Sequence, residues 1–138
     1  MSPEALTLHD VMQLVPSSKF DIATAERAVE AGWPAVEPVT PELLEWLQDY
    51  NWPVSRILAP FLARIGPPLV PYLRPILVGE DAIWKYWIIA AVLADAPLEV
   101  IESLGPELAR IVGDPTAREV EEEVPEVAKA ALDRRATD

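Results

Sequence analysis

Residues 71–97 read PYLRPILVGEDAIWKYWIIAAVLADAP, and the fold is read outward from them. Asp81 is placed to cap a helix AIWKYWIIAAVLA over 82–94, since an aspartate before an apolar run accepts a free backbone N–H of the first turn. At 100° per residue, Trp84, Trp87, Ile88 and Ala91 share one side of this helix. Tyr86, Ile89, Ala90 and Leu93 share the other, and the strip near Lys85 and Val92 is the least crowded. A helix that is apolar nearly all round is packed on all sides. The uncharged run from Tyr86 to Ala94 is far shorter than the ~20 residues a membrane helix needs, so this is a core helix. With full burial, Trp84 and Trp87 would each remove about 150–250 Å² from water, worth roughly 4–6 kcal/mol, and Trp84→Ala would cost about 3–5 kcal/mol.

The first half of the stretch repeats. PELLEWLQD (41–49), PYLRPILVGED (71–81) and PELARIVGD (106–114) align with Pro41, Pro71 and Pro106 in register. Leu43, Leu73 and Leu108 then superpose, as do Leu47, Leu77 and Val112. After each comes a capped turn and a second helix. A degenerate helix–turn–helix unit at this spacing points to an all-α fold, a short HEAT- or armadillo-like α-solenoid of helix pairs, with an irregular compact helical bundle as the alternative. The tryptophan-rich helix is then the second helix of the middle repeat.

Fifteen prolines are about twice the usual share, and most stand at helix starts, where a missing N–H has no partner to lose. Thr40-Pro41 reads as N-cap and first residue of PELLEWLQ. Asn51-Trp52-Pro53 opens a helix that Gly66 ends, Pro67-Pro68 opens one that Gly79 ends, and Pro97 opens another. Thr7-x-x-Asp10 and Asp21 start two short helices upstream, and Thr116-x-x-Glu119 is a capping box for the last helix. Pro60, Pro75, Pro106 and Pro125 fall inside helical patterns, so bends are expected there, with a kink or break at Gly105-Pro106. About eight helices and no strand follow.

At 138 residues the chain fits one domain (1–138, with 1–7 and 134–138 as loosely ordered ends) that buries roughly two thirds of its unfolded surface. The absence of cysteine removes disulfides, thiolate metal sites and thiol nucleophiles. A net charge of −12 argues against nucleic acid, which demands a basic face. The acids are spread along the chain, with one run at Glu121–Glu123, and read either as a solvated surface or as an acidic face for a basic partner. MSPEALTLHD has neither the basic start nor the apolar run of a secretion signal. A cytoplasmic location is expected.

Catalytic chemistry is hard to find. His9 is the only histidine and makes neither a metal cluster nor a triad. No phosphate-binding glycine loop is present, and Ser17, Ser18, Ser55 and Ser103 lack a base nearby in sequence. No catalytic residue, metal site or cofactor is expected. Glu42 and Glu45 read as a solvated face, and Trp33, Trp46 and Trp52 mainly as packing. The candidate binding residues are Trp46, Asp49, Trp52 and Lys85. Asp49 ends a helix where the dipole disfavours an anion, so it needs a donor. Lys85 has three readings: a lysine snorkelling at the core's rim, the cation of an anion pocket near Trp46, Trp52 and Tyr86, or half of an ion pair with Asp49 or with Asp81 one turn back.

LLEWLQDYNWPV (43–54) with IWKYWII (83–89) resembles the bacterial family catalogued as domain of unknown function 5071. LVPSSKFD (14–21) and PELARIVGDPTAREVEEEV (106–124) fit the same pattern, so the resemblance spans about 8–135. It implies a single helical domain of HEAT-like character and brings no established activity, cofactor or catalytic residue. Pro60, Pro75 and Pro125 depart from the family pattern. The function expected is that of a small acidic helical-repeat module that binds another protein. A narrower alternative is an immunity-type inhibitor of a basic toxin or nuclease. A third is a small-molecule or anion binder with its pocket at Lys85.

Overall fold

The computed structural model describes residues 7–137, with side chains to Arg135. Among them every regular element is helical: ten α-helices, three 3-10 turns and one π-helical segment. The chain divides into two compact units, up to Phe61 and from Leu62 onward.

The first unit holds α1 (Leu8–Met12), α2 (Ile22–Ala31), α3 (Thr40–Glu45) and the start of α4 (Pro53–Ile65). Thr7 and Asp10 form the expected capping box of α1. Asp21 caps α2 by accepting the Thr24 N–H at 3.3 Å, and it also accepts the Ser17 N–H at 2.9 Å. These bonds, the Ser17 N–H first, hold its carboxyl down to about 2. Thr40 differs from expectation. It is the first residue of α3 rather than its cap, and its buried hydroxyl donates to the Val36 carbonyl at 3.2 Å. The reason is the 3-10 turn Glu37–Val39. Pro38 and Pro41 fix φ near helical values on either side, so the chain is already wound when α3 begins. Val36, Leu43, Leu47, Val54 and Leu58 are fully buried.

The second unit follows α4 with α5 (Val70–Val78), α6 (Ala82–Trp87), α7 (Leu98–Ser103), α8 (Gly105–Gly113), α9 (Ala117–Glu121) and α10 (Val124–Thr137). Helix α10 lies against α6, α7 and α8. Asp81 caps α6 as expected, accepting the Trp84 N–H at 3.0 Å. Beyond Trp87 the helix runs on as a π-helical segment, Ile88–Leu93, with Ala94 N–H reaching the Ile89 carbonyl at 3.0 Å. That i→i+5 register widens the helix and shifts every later side chain from its 100° position. Ile88, Ile89, Val92 and Leu93 are all buried. The Leu93 carbonyl, near the helix end, accepts the Ala96 N–H at 3.4 Å and a side-chain N–H of Arg134 of α10 at 2.7 Å.

The repeat register is carried into three dimensions. Pro41, Pro71 and Pro106 are each the second residue of a helix, in α3, α5 and α8. Leu43, Leu73 and Leu108 are each fully buried one turn in, and Leu47 and Leu77 follow them into the core. The break expected at Gly105-Pro106 falls one residue earlier, at Leu104 between α7 and α8, and Gly105 and Pro106 open α8. Helices α4 and α5 continue through Pro60 and Pro75, both on exposed positions. Pro125 is corrected: it is the second residue of α10, where its missing N–H costs nothing. The expected single last helix is two, because Glu123 takes φ +62° and ends the run opened by Thr116.

Candidate functional site

Glu119 organises the second unit's charges. The Thr116–Glu119 capping box turns its carboxylate back along the chain, where Oε1 accepts the Thr116 N–H at 2.9 Å. Arg110, one helix earlier, brings its guanidinium flat against the same carboxylate, Nη1 to Oε1 at 2.6 Å and Nη2 to Oε2 at 2.7 Å. Lys85 reaches Oε2 from α6 at 2.6 Å. The Lys85 and Glu119 side chains are 3% and 0% exposed, and that of Arg110 is 38% exposed. Glu119 thus receives four donors, the number two carboxylate oxygens can take. Its carboxyl is held down to about 2, first by Arg110 and then by Lys85 and the Thr116 N–H, against burial, which pushes it up. In return Glu119 raises the Arg110 guanidinium.

Lys85 is therefore not a rim lysine. It is the buried cation of an ion pair, and its partner is neither Asp81 nor Asp49. The Asp81 carboxylate is used by the Trp84 N–H, and that of Asp49 accepts the Asn51 N–H at 2.8 Å. Glu119 was legible only as the third residue of a capping box. Its second role brings together residues 34 positions apart in the chain.

Beside this cluster lies an open cleft of about 760 Å³, with Leu77, Val78, Lys85, Pro106, Glu107 and Arg110 among its walls. Glu107 on its wall is paired with Arg74, whose Nε lies 3.0 Å from Glu107 Oε2 and whose Nη2 lies 2.7 Å from the Ser103 carbonyl. No aromatic ring is among the lining residues.

The other candidates gather in the first unit. Trp46, Asp49 and Trp52 are drawn together by the 3-10 turn Trp46–Gln48 and the loop after it. Their organiser is Ser55, which the sequence presents only as a hydroxyl without a base nearby. Fully buried, its hydroxyl has the Trp46 and Asp49 carbonyls within reach, the latter at 2.9 Å, and its single proton is shared between them. The rings of Trp46 and Trp52 meet edge to face, centroids 5.7 Å apart. With Val15, Pro16, Glu42, Glu45 and Gln48 they line a groove of about 280 Å³. Glu42 and Glu45 are exposed, as expected. Lys85 belongs to the second unit's own cluster.

All five tryptophans are half-buried, none fully enclosed. Tyr86 and Trp87 stand edge to face at 4.9 Å and, with Glu121, Glu122 and Glu123, line a further groove of about 310 Å³. Among the described residues no cluster of three or more His, Cys, Asp or Glu could hold a metal ion, and no helix is long and apolar enough to cross a membrane.

These features define an all-helical protein with a saturated buried charge cluster and half-open aromatic grooves edged by acids. The chain belongs to the family described as Domain of unknown function (DUF5071), whose model matches residues 14–132. No curated protein matches it.

Proposed function

We propose that this protein is an acidic helical-repeat interaction module that takes a lysine- or arginine-bearing segment of a partner protein into the Trp46–Trp52 groove. The observation that carries this reading is the groove itself: two half-buried indoles set edge to face, with the exposed Glu42 and Glu45 on the same walls. Indole is the best aromatic face for a cation, worth about 0.5–2 kcal/mol as it desolvates, and tryptophans dominate interface energies. The carboxylates and the net charge of −12 add attraction for a basic partner, expressed chiefly in the on-rate. The recurrence of the proline–leucine register in α3, α5 and α8 supports a HEAT-like repeat as the scaffold. A basic toxin or nuclease is one partner of this class. The lack of cysteine fits a cytoplasmic setting.

The anion reading at Lys85 is less well supported, because its ammonium is committed to Glu119 and its cleft offers no aromatic face. The test is a ¹⁵N titration of the whole chain with an acetylated, amidated Gly-Arg repeat peptide. The indole N–H signals of Trp46 and Trp52 should move saturably, weakly enough that added salt reverses the shift, and Glu42→Gln/Glu45→Gln should weaken binding. Unmoved Trp46 and Trp52 signals, or binding indifferent to both salt and the double substitution, would overturn the proposal.

A further inference from the structure

The second unit's groove of about 310 Å³ has two walls of different character. On α6, Ile83, Tyr86 and Trp87 stand at i, i+3 and i+4, the spacing that sets side chains on one helix face. Ile83 is 42% exposed, and the half-buried rings of Tyr86 and Trp87 meet at 86°. The wall is thus an aliphatic group beside a corner of two perpendicular rings. A compact ammonium can contact both rings of such a corner, whereas a flat guanidinium stacks on one. The other wall comes from α9, which packs on α6. Glu121 is its last residue, and Glu122 and Glu123 make the turn into α10. Among the described residues Arg118 is the one cation paired with these three carboxylates, 3.4 Å from Glu121 and 3.8 Å from Glu122. Three carboxylates against one guanidinium leave two negative charges over. Glu123 also takes φ +62°, a conformation glycine adopts more readily, so a carboxylate stands here where glycine would suit the backbone better.

The occupant follows from charge and shape together. A metal ion answers the charge but leaves the rings and Ile83 uncovered, and no group of three or more acids among the described residues is placed to hold one. A single lysine side chain answers one of the two surplus charges. We infer that this groove binds a linear polyamine. Its methylenes lie along Ile83 and the rings, one ammonium sits in the Tyr86–Trp87 corner, and the others reach the glutamates. The volume is at the lower end of the range for small-ligand sites, roughly 300–1,000 Å³, which suits a thin, extended ligand. The inference does not rest on the Trp46–Trp52 groove, which lies in the first unit.

The probe is spermidine, titrated at constant ionic strength into the ¹⁵N-labelled whole chain. The Trp87 indole signal and the backbone signals of Ile83, Tyr86 and Glu123 should move together and saturate. n-Butylamine, magnesium chloride and an acetylated, amidated Gly-Lys-Gly peptide should each bind about tenfold more weakly or worse. Glu123→Gly relieves the backbone and keeps the fold, yet should weaken spermidine about threefold, and Glu122→Gln/Glu123→Gln about tenfold. Magnesium as effective as spermidine reduces the site to surface charge and overturns the proposal. The lysine peptide binding as tightly overturns the polyamine assignment in favour of a partner's side chain. No saturable shift, shifts confined to Trp46 and Trp52, or undiminished binding in both variants overturns the site, and none of these outcomes bears on the peptide reading of the other groove.

Discussion

Glu119→Gln removes the carboxylate that both Lys85 and Arg110 contact. The wild-type carboxyl lies at about 2 against an ordinary 4.5. At ~1.4 kcal/mol per pKa unit, that is at most about 3 kcal/mol of stability at neutral pH. The Arg110 side chain is 38% exposed, and water screening lowers the figure to about 2 kcal/mol. The substitution also leaves Lys85, 3% exposed, as a buried cation without a counter-ion, for which breaking a buried pair typically costs about 3–5 kcal/mol. A loss of about 3–4 kcal/mol at pH 7 is therefore expected, read as a lowered urea midpoint at unchanged slope. The pH dependence has a definite sign. A carboxyl whose folded-state pKa is depressed contributes fully above its unfolded value near 4.5 and loses that contribution as pH falls through about 2. The gap between wild type and Glu119→Gln should accordingly be widest at pH 7 and shrink steadily below pH 4.5. Adding Lys85→Met should recover part of the loss, because the stranded cation is gone. A gap of under about 1 kcal/mol at pH 7, or one that stays constant into acid, would refute the assignment of Glu119 as the keystone of the cluster.

Three further substitutions test other parts of the structure by the same urea midpoints. Ser55→Ala leaves the Trp46 and Asp49 carbonyls without their shared buried donor and should cost about 1–3 kcal/mol; a loss under 0.5 kcal/mol, roughly the scatter of neutral surface changes, would show that the hydroxyl does not hold the loop. Trp84→Ala should cost about 2 kcal/mol, half the figure for a fully enclosed ring, since Trp84 is half-buried; a loss of about 4 kcal/mol or more would mean the ring is as enclosed as the core leucines. Glu123→Gly should raise stability by up to ~1 kcal/mol, because φ +62° is strained for a residue with a Cβ and favoured for glycine just past a helix end; destabilisation would show that the Glu123 side chain contributes more than the strain costs.

The sequence by itself determined the helical class and most helix starts, because caps and prolines act within one turn of chain. Thr7, Asp21, Asp81 and Thr116 each bond to an N–H three residues on, and that distance is visible in the residue order. It also determined the repeat: proline second, leucine two residues later, in α3, α5 and α8. Local order could not locate the end of the Thr116 helix at Glu123, or the π-helical register after Trp87, since both answer to packing against other elements. The same holds for charge. Lys85 looked like a rim lysine because its own helix offers no nearby acid other than Asp81, which the cap consumes. Only the fold brings α6, α8 and α9 together, so that one carboxylate already shaped by its capping box receives a lysine and an arginine from distant chain. Desolvation there makes the pairing strong and specific, and it depends on burial, which no single segment possesses before the chain is folded.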